Sequence, residues 1–132
     1  MKVVALDYGS ARTGVAVSDP TGTIARPLGV VERAASEAGL ARLAELVREQ
    51  GAERIVVGLP LTLRGERGTQ AQETEVFVEA LRQTVEVPVE SYDERFTTGL
   101  AASVGSDEAP EDARAAAHLL SSYLAWSSAD RE

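Results

Sequence analysis

The chain has no cysteine and a single histidine, His118. The absence of cysteine excludes disulfide bonds and thiolate metal sites, and His118 is the only imidazole that the chain could offer to a metal. Any bound metal ion must therefore be a hard cation held by oxygen ligands. This favours Mg²⁺ or Mn²⁺ over Zn²⁺.

Long apolar runs, repeats and linker-like segments are also absent. No stretch approaches the length of a transmembrane helix, and Asp7 interrupts the only apolar run near the N-terminus, which argues against a signal peptide. A chain of 132 residues is long enough for a sizeable core. We therefore expect one domain over residues 1–132 in a soluble, cytoplasmic protein.

Positive charge is scarce, with 13 basic and 21 acidic residues and a net charge of −8. This balance argues against a general nucleic-acid binder, which usually carries a basic face. Lys2 is the single lysine, and the other basic residues are arginines, which bind phosphate in a bidentate manner. Several of these arginines share loops and helix ends with candidate site carboxylates: Arg12, Arg64, Arg67, Arg95 and Arg114.

The most informative feature is Asp7, which follows an apolar run at residues 3–6. A carboxylate at the exit of a buried strand is costly to desolvate unless a cation or hydrogen-bond donors meet it. Gly9 and Gly14 are predicted to bracket a tight turn into a second strand at residues 15–18. One face of this strand carries only small residues, Gly14, Ala16 and Ser18. The alternative interpretation is an aspartate that caps a β-turn.

The remaining pattern predicts an α/β protein. Residues 24–31 form a third strand that Pro27 confines to a sheet edge. A helix follows, with Ser36 as N-cap and Gly51 as its end. Further elements are a buried strand at residues 55–57, a helix with Phe77, Ala80, Leu81 and Thr84 on one side, a strand at 87–92, a short helix at about 98–102, and a last helix with Ala113, Ala116, Ala117, Leu120 and Leu124 on its core face. A three-stranded meander followed by αβ units predicts a mixed five-stranded sheet with helices on both faces.

Three sets of acids are expected at one edge of this sheet. Asp7 and the pair Asp93–Glu94 lie at the carboxyl ends of strands, where functional crevices of open α/β sheets occur. Asp112 lies in the first turn of the last helix. Each has a simpler explanation alone, a solvated turn or a helix-start acid, but three acids that converge favour a functional site.

These residues resemble the bacterial YqgF family of Holliday-junction-resolvase-like nucleases in the ribonuclease H superfamily. The resemblance runs from Val3 to about Tyr123. It is carried by five motifs in order: Leu6-Asp7-Tyr8-Gly9 with Arg12 and Gly14, Val57-Gly58-Leu59-Pro60-Leu61 with Gly65, Gln70, Asp93-Glu94-Arg95-Phe96-Thr97-Thr98, and Asp112 ahead of Ala115-Ala116 and Leu119-Leu120. It implies a ribonuclease H-like fold and nuclease activity, including maturation of the 16S ribosomal RNA precursor.

The same resemblance implies that the active-site acids are Asp7, Glu94 (or its neighbour Asp93) and Asp112. Strand alternation would send only one of Asp93 and Glu94 toward a metal, and we favour Glu94. The chain departs from the family where a basic run commonly precedes the last acid: residues 105–111 are short and acidic here. Ala11 also stands where a basic or polar residue is frequent.

The chemistry expected of these acids is two-metal phosphodiester hydrolysis with Mg²⁺ or Mn²⁺. Asp7 would bridge the two ions, and Glu94 and Asp112 would each complete the ligands of one ion. Nucleic-acid contacts are expected from Arg12, Arg64, Arg95 and Thr97. RNA, in the context of a ribosomal precursor particle, is the favoured substrate. The alternatives are a DNA junction resolvase, a non-catalytic assembly factor that binds phosphate or nucleic acid, and an actin-like ATPase module, for which the chain has no room for a second lobe.

Overall fold

The computed structural model describes residues 1–60, 68–94 and 109–130, with the side chains of 128–130 left aside. Its elements are β1 (Val3–Asp7), β2 (Arg12–Ser18), β3 (Ala25–Glu32), α1 (Glu37–Gln50), β4 (Arg54–Leu59), α2 (Thr69–Thr84), β5 (Val89–Asp93) and α3 (Glu111–Asp130). The short helix predicted at about 98–102 lies outside the described residues. No helix in the described ranges is both long and apolar enough to cross a membrane.

The five strands form one sheet in the order β3-β2-β1-β4-β5. β1 pairs antiparallel with β2 and parallel with β4, and β4 pairs parallel with β5. β1 is therefore the central strand, and Asp7 stands at its carboxyl end. β3 is an edge strand, as the proline at position 27 predicts, and a register shift opposite Val15 and Ala16 accommodates it. The predicted mixed five-stranded sheet is confirmed.

The sheet separates two apolar layers because side chains alternate along each strand. In β1, Val4 and Leu6 belong to the layer under α1 and α2, which includes Leu43, Phe77 and Leu81. Val3 and Ala5 face the opposite side and pack with α3 through Ala116, Leu120 and Tyr123. The same alternation directs Asp7 toward α3 and the following Tyr8 toward α2. The sheet thus has helices on both faces, as expected.

Helix α1 begins and ends where the sequence indicates. The Ser36 side chain accepts a hydrogen bond from the backbone N–H of Gly39, and Gly51 ends the helix with φ 65°. Gly39 itself is required because a Cβ at this position would meet the backbone of Arg33 and Ala34. This close approach fixes the start of α1 against the chain that leaves β3.

Two local predictions were wrong. β2 begins at Arg12 rather than at Val15, so Gly14 lies within the strand, opposite Asp7, and the turn is completed before it. On α2, Ala80 is only half-buried and Thr84 is exposed, whereas Ala71, Thr74 and Val78 join Phe77 and Leu81 in the interior. The buried face of α2 is therefore rotated from the predicted one, toward Ala71, Thr74 and Val78.

Candidate active site

Asp7 and Glu94 meet at the carboxyl ends of β1 and β5. Both side chains are half-buried, and a hydrogen bond joins their carboxyl groups. Glu94 reaches Asp7 because it follows directly after the last residue of β5, Asp93, which pairs with Leu59 of β4. The structure therefore brings Glu94, rather than Asp93, against Asp7.

Room for this contact comes from a glycine in β4. A Cβ on Gly58 would come within 2.5 Å of Glu94 Oε1 and within 3.0 Å of a Leu119 methyl group. Gly58 occupies the α3-facing register of β4, next to the buried Val57. A larger residue here would push the Glu94 carboxyl group away from Asp7.

The two carboxyl groups hold a proton between them. Burial, the charge of Asp7, the hydrogen bond to Asp7 and the charge of Asp93 together raise the pKa of Glu94 to about 7. Burial also raises the pKa of Asp7, which the hydrogen bond from Glu94 opposes and the charge of Asp112 reinforces. Because the bond favours the charged form of Asp7 and the neutral form of Glu94, protonated Glu94 is the donor. The pair is thus a desolvated carboxyl site in which the pKa of each acid is raised.

Asp112 approaches the same sheet edge from the first turn of α3. The close packing of α3 on β2 depends on Gly14, since a Cβ there would overlap the backbone carbonyl of Asp112. The Asp112 carboxylate is paired with Arg12 at the start of β2, with 3.3 Å between Nε and Oδ2. Arg12 keeps 66% of its side chain exposed, and Asp112 keeps 37%. The guanidinium therefore remains accessible to a second anion.

Asp7 and Glu94 contact each other, while Asp112 lies nearby and pairs with Arg12, so the three acids do not form one closed cluster of ligands. Within residues 1–60, 68–94 and 109–130, no three histidine or carboxylate side chains gather closely enough to hold one ion. The cause is visible in the contacts: Glu94 binds Asp7 through a proton, while Asp112 binds Arg12. The donors nevertheless fit a hard cation, because all three are carboxylates and two of them bear the electrostatic strain that a cation relieves.

Two cavities flank the acid pair. One, of about 170 Å³, lies on the α3 side and is lined by Asp7, Glu94, Ala115 and Leu119. The other, of about 190 Å³, extends toward α2 and is also lined by Asp7 and Glu94. We call the second the α2-side cavity; its further lining residues are Tyr8, Gly9, Ser10, Pro60, Gln70, Glu73 and Thr74.

Tyr8 and Glu73 line the site although neither was predicted as a site residue from the sequence. Two features of the sequence could have identified them. Tyr8 follows directly after Asp7, and Gln70 and Glu73 are spaced by about one helical turn at the start of α2. Burial, followed by the charge of Glu73, raises the pKa of Tyr8, so the phenol stays neutral near that carboxylate. Three of the predicted nucleic-acid contacts, Arg64, Arg95 and Thr97, lie outside the described residues.

A family model described as "RuvX: Holliday junction resolvase" matches residues 1–126. The chain belongs to the RuvX family. This membership confirms the predicted resemblance to a family of Holliday-junction-resolvase-like nucleases. The five motifs that carried the resemblance fall within the matched range.

Curated relatives agree with this membership. One from Desulforudis audaxviator, named "Putative pre-16S rRNA nuclease", is 39% identical over 94% of this chain and 94% of its own. One of the same name from Chloroflexus aurantiacus is 46% identical over 73% of this chain. That match spans 63% of the Chloroflexus protein.

A solved structure shares the fold. The RuvC protein of T. thermophilus, in a complex with a Holliday junction substrate, superposes with a TM-score of 0.71 over 97% of this chain and 95% of its own, at 18% identity. At this identity the likeness bears on the fold alone. The ribonuclease H-like fold expected from the sequence is confirmed.

Proposed function

We propose that this RuvX-family chain is a metal-dependent nuclease that cleaves RNA and takes part in the processing of the 16S rRNA precursor. The observation that carries the proposal is the desolvated Asp7–Glu94 pair at the end of the sheet, with Asp112 facing it from α3. The choice of RNA is supported by the names of the relatives.

Asp7, Glu94 and Asp112 are the residues that we propose as ligands for Mg²⁺ or Mn²⁺. Bound divalent ions supply an activated water and stabilise both the transition state and the leaving oxygen. If two ions bound here, Asp7 at the end of the central strand would be the ligand common to both, and Glu94 and Asp112 would each help to hold one of them. The proton held by Glu94 must leave before its carboxylate can act as a ligand.

Arg12 is proposed to have two partners in turn. In the structure it neutralises Asp112. If Asp112 served as a metal ligand, the guanidinium would be free to bind a substrate phosphate next to the acids, which is the bidentate contact that arginine forms best. Arg64, Arg95 and Thr97 remain proposed contacts on the strength of the sequence alone.

The experiment that tests the function compares three labelled substrates: single-stranded RNA, single-stranded DNA and a four-way DNA junction. Each is incubated with and without Mn²⁺, using the natural protein and Asp7→Asn. We expect Mn²⁺-dependent cleavage of RNA that Asp7→Asn abolishes. Junction cleavage without RNA cleavage would instead support a resolvase, the activity given in the family description.

Calorimetric titration of Mn²⁺ separates binding from cleavage. Because Asp7 is proposed to be shared between ions, Asp7→Asn should lose the sites that the natural protein shows. Glu79→Gln, an exposed acid farther along α2, is the matched control and should bind Mn²⁺ normally. Undiminished binding in Asp7→Asn would contradict the ligand assignment.

A further inference from the structure

The α2-side cavity is lined both by the acid pair and by polar residues of α2. Asp7, Glu94 and Tyr8 line it together with Gln70 and Glu73 on the first turns of α2. A group bound in it can therefore contact the acid pair and α2. The cavity on the α3 side gives no access to α2 among the residues that line it.

Packed side chains support part of the wall of the α2-side cavity. The Tyr8 ring stacks on Phe77 of α2, with 4.4 Å between the ring centroids and 18° between the planes. Phe77 is buried. Thr74 is also buried, and its hydroxyl donates to the backbone carbonyl of Gln70, one turn earlier on α2, at 2.8 Å. The Gln70 and Glu73 side chains are exposed on this helix, so they are accessible to a ligand in the cavity.

The polar groups of these walls favour a ligand that donates hydrogen bonds. The Glu73 carboxylate only accepts, while the Gln70 amide and the Tyr8 hydroxyl both accept and donate. Glu73 also lies near enough to the Tyr8 phenol to act on it electrostatically. A nucleoside carries matching donors, in the hydroxyl groups of its ribose and in the N–H groups of its base.

We propose that the α2-side cavity is a nucleoside subsite: it holds the nucleoside joined to the scissile phosphate, which donates hydrogen bonds to Glu73 and Gln70. The position of the phosphate at Asp7 and Glu94 rests on the proposed nuclease function. Glu73 and Gln70 are then specificity-determining residues. The shared chemistry is an O–H or N–H donor, which the ribose or the base can supply.

The first test uses an oligoribonucleotide with one cleavage site and two changes to the nucleoside beside it. One substrate lacks the 2′-hydroxyl, and another carries a base without its exocyclic amino group. We expect one change to lower kcat/KM by about tenfold, the value typical of a lost hydrogen bond to a charged group. Glu73→Gln should erase most of this discrimination, whereas Glu79→Gln on the same helix should keep it. Equal cleavage of all three substrates by the natural protein would overturn the subsite.

The second test needs neither metal nor cleavage. Uncharged nucleosides are titrated into the ¹⁵N-labelled protein, and the NMR signals of the Gln70 side-chain amide and the Tyr8 backbone are followed. We expect saturable shifts in the natural protein and in Glu79→Gln, and their loss in Glu73→Gln. Cleavage of RNA without such shifts would overturn the subsite and leave the nuclease standing. Shifts without any cleavage of RNA would support the subsite and contradict the proposed function.

Discussion

At the scale of single residues, the decisive question is which of two adjacent acids serves the site. Alternation along a strand predicts that only one of Asp93 and Glu94 can face Asp7, and Glu94 is the residue favoured from the sequence. The structure brings Glu94 to Asp7 for a further reason: β5 ends at Asp93, and Glu94 stands beyond the last strand pairing. Such a strand end depends on the partner strand β4, so it could not be read from residues 87–94 alone.

The first prediction follows from this placement. Glu94→Gln should reduce cleavage by more than the roughly 10- to 100-fold typical of losing an outer-shell partner of a metal. Asp93→Asn removes a charge that acts on Glu94 from nearby and leaves the proposed ligands in place, so it should leave a measurable rate. Single-turnover rates with saturating Mn²⁺ compare the two variants. The reverse order would mean that the two side chains exchange places when metal binds.

The second prediction concerns the stability of the metal-free protein. The pKa of Glu94 is about 7 in the folded chain, above its ordinary value of 4.5. Between these values the folded state holds a proton that the unfolded state has lost, so stability falls as the pH rises through this window. The stabilising contribution is complete below about pH 4.5 and lost above about pH 7. The raised pKa of Asp7 acts in the same direction.

Urea unfolding in EDTA at about pH 5 and about pH 8 measures this effect. The natural protein should lose stability at the higher pH. Glu94→Gln should flatten the dependence because it keeps a neutral donor at both pH values, while Glu79→Gln should behave as the natural protein. A pH dependence that persists in Glu94→Gln would assign the effect to another group.

At the scale of elements, hydrophobic patterning and caps predicted most of the fold. Pro27 correctly indicated an edge strand, and Ser36 and Gly51 correctly marked the ends of α1. Gly14 was misread because a glycine after a turn and a glycine that admits a neighbouring helix look alike in a sequence. Only tertiary contact distinguishes them, and here the contact is with the backbone of α3.

The third prediction tests this close approach with two glycines in neighbouring strands. Gly14→Ala should destabilise the protein by about 1–3 kcal/mol, the range typical of overpacking, because its Cβ would overlap the Asp112 carbonyl. It should also weaken Mn²⁺ binding, since α3 must shift with Asp112. Gly29→Ala in β3 is the matched control, as no atom lies within 4 Å of its Cβ position. Equal stability of the two variants would show that α3 can shift away from β2 without lowering the free energy of unfolding.

At the scale of the whole molecule, a net charge of −8 and a polyanionic substrate must be reconciled. The sequence could predict that acids converge on one sheet edge, because parallel strands end together. It could not predict that Arg12 would pair with Asp112, since this contact joins the first hairpin to the last helix. A nucleic-acid substrate should therefore meet long-range repulsion, which bound metal ions and a few arginines would have to offset near the acids.

The last prediction measures how much Arg12 contributes to the binding of RNA phosphates. Each phosphate contact on a single strand adds about −0.7 to the slope of log K against log salt concentration. If Arg12 leaves Asp112 for a phosphate when metal binds, Arg12→Ala should make this slope shallower by about 0.7. Arg26→Ala, an exposed arginine at the opposite end of β3 from the site, should leave the slope unchanged. Fluorescence anisotropy of a labelled RNA analogue with a non-hydrolysable backbone, in saturating Mn²⁺, supplies the measurement. Identical slopes for the Arg12 and Arg26 variants would mean that Arg12 stays with Asp112, and that its function is to position this acid rather than to bind RNA.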